Sequence, residues 1–259
     1  MEKSCVFILS VSSDIGHALA LEYLNDGYEV VGTYRNIESV NDLSKQPRIK
    51  LLYCDIASPE SIQSMITDYG NLSKPWDIFI SSVGTLEPIG PFFSADFDEW
   101  EEAITVNSLA QLRVLRELWP YRRQGQICHA AFFAGGGTNN SFPNHSAYAA
   151  SKVFLIKMCE LLDSENPLIN VFIIGPGFIP TKIHRFQHTI DFLPSRQKGT
   201  AYKDIYDCIN WCIAQGKNVA GGRNFSVVHD SWREDARLVE QLQRDKNKFK
   251  LRRFRNEEK

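Results

Sequence analysis

The 259-residue sequence lacks any apolar run long enough to span a membrane. Its strongest early run, residues 5–11, is far short of the roughly 18 to 20 residues a spanning helix needs. That run also makes a poor signal peptide, because Glu2 weakens the basic region and Ser12-Ser13-Asp14 ends it early. Cysteine pairing is absent as well. Cys5, Cys54, Cys128, Cys159, Cys208 and Cys212 form no Cys-x-x-Cys pair, which favours free thiols and a cytoplasmic location. Cys208 and Cys212 stand one helical turn apart without flanking His or Cys partners, so they read as core packing. No charge of one sign dominates: 29 Lys+Arg face 31 Asp+Glu, which gives no overall pull toward nucleic acid or an anionic membrane. The 16 glycines and 11 prolines show no period, so collagen-like and low-complexity readings fall away. What remains, 43% apolar and 23% charged residues, is a globular chain able to bury a sizeable core.

Short apolar runs alternate with helix-period segments. The pattern predicts strands at residues 5–11, 28–33, 49–54, 77–82, 126–133, 169–174 and 225–228. Helices are expected at 15–26, from Ser58-Pro59-Glu60 onward, at 96–118 and at 147–163. Strands that are apolar throughout are buried on both faces, and helices between them imply right-handed crossovers. The expected fold is therefore α/β: a single doubly wound Rossmann-type domain with a mostly parallel seven-stranded sheet over residues 1–230. Residues 231–259 form a basic helical extension, with Lys246, Lys248, Lys250, Arg252, Arg253 and Arg255 interleaved with Phe249, Leu251 and Phe254. It reads as a solvated helix with a frayed end, or as a tail that docks on a neighbouring subunit or an anionic ligand.

Two segments carry candidate chemistry. The first strand runs into Ser10-Val11-Ser12-Ser13-Asp14-Ile15-Gly16 and then a helix, where a dinucleotide-binding fold places its phosphate loop. Only Gly16 is a glycine, and an ordinary capped turn would look the same. Tyr148-Ala149-Ala150-Ser151-Lys152 puts a phenol and an ammonium one turn apart on a helix face. An ammonium favours the phenolate and so lowers a pKa that is ordinarily near 10. A helix with an unrelated Tyr and Lys would show the same five residues.

The order of these segments is more specific than any one of them. Asp55 follows the third strand, Ser81-Ser82-Val83-Gly84 the fourth, and Asn107 lies in the long helix. Tyr148 and Lys152 come next, and Gly175-Pro176-Gly177-Phe178-Ile179-Pro180-Thr181 follows the sixth strand. Over about residues 4–228 the sequence resembles the short-chain dehydrogenase/reductase family. The resemblance implies an oxidoreductase that interconverts a carbonyl and a secondary alcohol of a small molecule with a nicotinamide cofactor. Tyr148 would exchange a proton with the substrate oxygen. Lys152 would bind the nicotinamide ribose and lower the Tyr148 pKa, and Asn107 would hold a water linking Lys152 to solvent. Ser10, Ser12, Ser13, Asp14, Ile15 and Gly16 would form the pyrophosphate loop. Asp55 and Ile56 would flank the adenine, Val83 and Gly84 would line the cofactor path, and Pro176, Gly177, Ile179 and Thr181 would close the nicotinamide end. The resemblance also implies a homodimer or homotetramer paired through helices 96–118 and 147–163.

Three departures stand out. Ser10 and Asp14 replace glycines of the family's loop, and Ser81-Ser82-Val83-Gly84 stands where the family tends to carry Asn-Asn-Ala-Gly. The family's active-site serine, about 13 residues before the tyrosine, falls on Phe132, Ala134 or Gly135, with Ala134 the preferred match. Thr138, Asn139 and Ser141 are the candidate substitutes. The second strand ends Thr33-Tyr34-Arg35-Asn36 without an acid for a ribose 2′-hydroxyl, so Arg35 is read as a 2′-phosphate partner and NADP(H) is favoured over NAD(H). The segment that usually supplies the substrate lid carries Lys182, His184, Arg185, His188, Arg196 and Lys198, which suits an anionic substrate such as a phosphorylated or nucleotide-linked sugar and equally a solvated loop. His184 and His188 have ligand spacing, but no third ligand follows and no metal is expected. A catalytically impaired nucleotide-binding or scaffolding relative is the alternative. Retention of Asn107, Tyr148 and Lys152 together weighs toward an enzyme.

Overall fold

The computed structural model describes residues 4–179, 181, 200–233 and 236–252. Its sheet contains β1 (Cys5–Leu9), β2 (Glu29–Tyr34), β3 (Ile49–Tyr53), β4 (Ile78–Ser81), β5 (Cys128–Phe133), β6 (Ile169–Gly175) and β7 (Asn224–Ser226). The spatial order is β3-β2-β1-β4-β5-β6-β7, and each neighbouring pair is parallel. Every residue of β1 and β4 is buried, which explains their unbroken apolar runs. Alternate side chains feed two cores. Val6 and Ile8 point to the face covered by α1 (Asp14–Asn25) and α6 (Tyr202–Gln215). Phe7 and Leu9 point to the face covered by α2 (Pro59–Asn71), α4 (Ala110–Leu118) and α5 (Ser146–Glu165). Strand order reverses between β1 and β4, so the connections leaving them diverge and open a crevice at the carboxyl ends of the strands.

The long helix expected at 96–118 is two helices, α3 (Phe97–Ile104) and α4, joined by a π-turn at Thr105–Leu109. Ser108 Oγ donates to the Ile104 carbonyl at 2.5 Å and competes with the helix ladder there. Asn107 lies in this widened turn, a common place for a functional side chain. The first strand stops at Leu9 rather than residue 11, because Ser10 adopts a left-handed φ of 71°.

The described part of the basic extension docks on its own domain. After the short helix α7 (Lys217–Ala220) and β7, α8 (Ala236–Arg244) buries Leu238 and Leu242 in the core. Buried Arg223 donates to the carbonyls of Leu242 (2.6 Å), Asp245 (3.1 Å) and Lys248. Phe249 packs edge-on against Phe225, and Arg252 pairs with Glu160 of α5. Arg253, Phe254 and Arg255 lie outside the described residues. All six cysteines are free and buried, and burial pushes the Cys5 and Cys54 thiols up to about 12. Among the described residues no helix is long and apolar enough to cross a membrane.

Arg223→Ala would leave the buried Leu242 carbonyl and the part-buried Asp245 and Lys248 carbonyls without the charged donor they now accept from. We expect a loss of about 2–4 kcal/mol of unfolding free energy in urea titrations. A change below about 0.5 kcal/mol would show that the tail is held by other contacts.

Candidate active site

The crevice is a cleft of about 1340 Å³ running across the carboxyl ends of the strands. Its phosphate end is built from hydroxyls. Ser10 N–H donates to Thr33 Oγ1 at 2.8 Å, which helps hold the strained φ. Ser13 caps α1, accepting from Gly16 N–H at 3.0 Å and donating to the Ser10 carbonyl at 2.9 Å. Ser82 Oγ, at the end of β4, donates to the carbonyls of Leu9 (3.0 Å) and Ser10 (2.9 Å) and lies 3.0 Å from Ser13 Oγ. A Cβ on Gly16 would sit 2.2 Å from the Ser10 carbonyl and 2.4 Å from Ser82 Oγ, so only glycine fits. Gly16 therefore packs behind the loop, while Ser10, Ser12, Ser13, Asp14 and Ile15 face the cleft.

At the far end Arg35, Asp55 and Ile56 line the same cleft. Arg35 Nη1 is 4.0 Å from Asp55 Oδ1 and its side chain is 71% exposed, so the guanidinium is loosely held. Asp55 Oδ1 also accepts from Ala57 N–H at 3.1 Å.

The centre of the cleft holds Tyr148 and Lys152 on one face of α5. Lys152 is 3% exposed, its Nζ donates to the Val83 carbonyl at 3.3 Å, and it lies 5.8 Å from the Tyr148 ring centroid. Burial pushes the Tyr148 phenol up to about 12 and the Lys152 ammonium down to about 8. The expected lowering of Tyr148 by Lys152 is thus outweighed by desolvation, which disfavours both charged forms. Asn107 is buried beside the cleft rather than in its wall. Its Oδ1 accepts from Thr85 N–H (2.8 Å), its Nδ2 donates to the Thr85 carbonyl (2.9 Å), and its own carbonyl accepts from Gln111 Nε2 (2.7 Å). The Asn107 side chain therefore clamps the wall that continues from Val83 and Gly84.

Of the three expected matches, Phe132, Ala134 and Gly135, the one that lies against the Tyr148 hydroxyl is Gly135. A methyl group built on Gly135 would stand 2.3 Å from Tyr148 Oη, whereas Ala134 is buried in the core with Phe132. Thr138 Oγ1 donates to the Gly135 carbonyl at 2.8 Å. Pro176, Gly177, Ile179 and Thr181 line the cleft as expected, while Pro180 and the basic residues between Lys182 and Lys198 lie outside the described residues. Sequence reasoning missed the substrate-side residues Glu87, Glu102, Phe142 and His145. Phe142 stacks on His145 at 4.1 Å, and His145 Nδ1 is 2.9 Å from the Pro143 carbonyl. Their one visible signal was proximity to Tyr148. The Ser82 hydroxyl bridge, also missed, had none beyond its place after an apolar strand.

A family model described as short chain dehydrogenase matches residues 4–189. The chain belongs to the short-chain dehydrogenase family. A short chain dehydrogenase of Monascus ruber, pigC, is 23% identical over 97% of this chain and 87% of its own length. Another, tazN of Aspergillus terreus, is 24% identical over 71% of this chain, which spans only 42% of that protein. Among solved structures, a 4-hydroxyisoleucine dehydrogenase complexed with NADH is 25% identical, with a TM-score of 0.78 over 86% of this chain and 96% of its own. The KRED1-Pglu enzyme is 26% identical, with a TM-score of 0.66 over 70% and 77% of the two chains.

This short-chain dehydrogenase is an oxidoreductase with a nicotinamide cofactor, and its own residues fit one. The α1 N-terminus turns toward the cleft, the Gly16 cradle leaves no room for a Cβ, and Arg35 and Ile56 flank the far end. Ser10 keeps the left-handed conformation that glycine would hold freely, at a cost of about 1–2 kcal/mol.

The buried ammonium carries a pH signature. Lys152 holds its proton less tightly in the folded chain, so its burial penalises folding below about pH 8. The penalty fades as pH rises toward 10.5, the ordinary lysine value that the unfolded chain restores. Lys152→Met should therefore gain up to about 3 kcal/mol near pH 7 and little near pH 10, read from urea unfolding at both values. A pH-independent difference would contradict the burial account.

Proposed function

We propose that this short-chain dehydrogenase is an NADP(H)-dependent reductase or dehydrogenase acting on a small carbonyl compound or the matching secondary alcohol. The observation that carries the reading is the pairing of half-buried Tyr148 with buried Lys152 on one face of α5 at the centre of the cleft. When bound, the nicotinamide supplies or accepts the hydride. Tyr148 Oη gives its proton to the substrate oxygen in reduction and takes one in oxidation. A phenol near 12 is a poor base alone, so a charged Lys152 beside it assists the oxidative direction. Asn107 keeps the Thr85 wall in place while this happens.

Cofactor choice rests on Arg35. The structure carrying NADH belongs to a relative, and the support for a 2′-phosphate in this chain is that the Arg35 guanidinium lines the far end of the cleft with Asp55. An anionic substrate, such as a phosphorylated or nucleotide-linked sugar, is supported by Lys182, Arg185, Arg196 and Lys198, which lie outside the described residues. The described substrate side offers Glu87 and Glu102. For assembly we propose a homodimer or homotetramer in the cytoplasm, paired through the α3–α4 segment and α5, where Leu109 of the π-turn and Phe154 of α5 are 49% and 40% exposed.

Calorimetric titration should give tighter binding of NADPH than NADH. Arg35→Ala should lower NADPH affinity about 10–100-fold, as expected for a charge-assisted phosphate contact, and leave NADH little changed. Equal affinities in the unmodified protein would refute the Arg35 assignment. Tyr148→Phe should abolish reduction of every ketone the protein accepts, and undiminished turnover would place the chemistry elsewhere. Light scattering should report a dimer or tetramer at micromolar concentration, against a monomer if α4 and α5 do not pair.

A further inference from the structure

The geometry points to the backbone N–H of Gly136 as the hydrogen-bond donor to the substrate oxygen, in the role that a side-chain hydroxyl would fill at residue 135. This inference rests on the reading of Tyr148 as the proton donor.

Gly135 lies directly against the Tyr148 hydroxyl, and the 2.3 Å approach of a Cβ built there leaves no space for any side chain in this packing. Backbone is therefore what the chain presents beside the proton donor. Gly135 and Gly136 both line the cleft. Residues 135–138 form a tight turn in which Gly137 has a φ of 84° and Gly136 stays outside the left-handed region. That combination is the signature of a type II turn. A trans peptide aims its C=O and N–H in opposite directions. The Gly135 carbonyl is turned into the loop, where Thr138 Oγ1 donates to it at 2.8 Å. The N–H of the same peptide unit, that of Gly136, is thereby turned out of the loop. Among the described residues it meets no acceptor, although an unpartnered N–H is costly unless something occupies it. An oxygen held by Tyr148 Oη would lie beside it. As hydride adds to the carbonyl carbon that oxygen gains negative charge, and an amide fixed by the Thr138 bond needs no reorganisation to meet it.

The turn itself supplies a selective test. Proline is favoured at the second position of a type II turn, which Gly136 occupies, and it removes the N–H without asking for a different φ. Gly136→Ala is the matched comparison: it keeps the N–H, and its added Cβ would meet only the Phe142 ring, at 3.4 Å. Both variants and the unmodified protein are assayed by NADPH oxidation with ethyl acetoacetate and phenanthrenequinone as ketone probes, with NADPH binding followed by fluorescence. We expect kcat of Gly136→Pro to fall about 10²–10³-fold below that of Gly136→Ala, with equal NADPH affinity. Rates within threefold of each other would overturn the inference. If the proline variant loses NADPH binding, or no probe turns over, amide NMR of the unmodified protein with NADP and trifluoroethanol decides. A downfield shift of the Gly136 proton supports the assignment, and its absence refutes it. Failure of the unmodified protein to bind NADPH would instead overturn the underlying reductase reading.

Discussion

The carboxyl ends of β1 and β4 are tied together by the hydroxyl of Ser82, and the cleft takes its shape from that tie. The β1–β4 ladder runs to Leu9 and Ser81, and the hydroxyl continues it one residue further. Ser82 meets the carbonyls of both Leu9 and Ser10, and Ser13 adds a third hydroxyl to the knot. Gly16 must remain a glycine because the knot fills the space where a side chain would go. The strained Ser10, the capped start of α1 and the position of Val83 all follow from it. Val83 in turn offers the carbonyl that receives Lys152, so the phosphate end and the proton-transfer end share one scaffold.

That proton-transfer end works against solvation. A phenol and an ammonium are both held away from water, and each is biased toward its neutral form. With Lys152 near 8 and the Tyr148 phenol near 12, the pair rests at neutral pH as a cation beside a neutral hydroxyl donor.

Much of this was legible in the sequence. The central strands, buried on both faces, have no exposed polar positions to hide them, and the i, i+4 spacing of Tyr148 and Lys152 survives any uncertainty in helix ends. What escaped depends on geometry that spacing does not encode. The amphipathic period runs through 96–118 without a break, so the π-turn that positions Asn107 leaves no trace in it. Ala134 and Gly135 are adjacent in the chain and both reach the cleft, and only the packing of Gly135 against Tyr148 separates them. The basic tail read as a solvated helix with a frayed end, or as a tail that docks on a neighbouring subunit or an anionic ligand. Its interleaved Phe249 and Leu251 instead bind it to its own domain, under the direction of an arginine 26 residues upstream of Phe249 by numbering.

The tail has a further consequence for the sheet's outer boundary. An open parallel sheet ends in two strands whose outer amides and carbonyls can recruit a strand from another molecule. At one boundary β3 carries the exposed Lys50, a charge that discourages such pairing. At the other, the Asn224 N–H of β7 donates to the Phe249 carbonyl at 2.9 Å, so the tail occupies the position an intruding strand would take. The same residues that looked like a solvated appendage thus act as a guard against self-templated aggregation. A chain shortened before Phe249 would expose the short edge of β7 beside its own cofactor cleft.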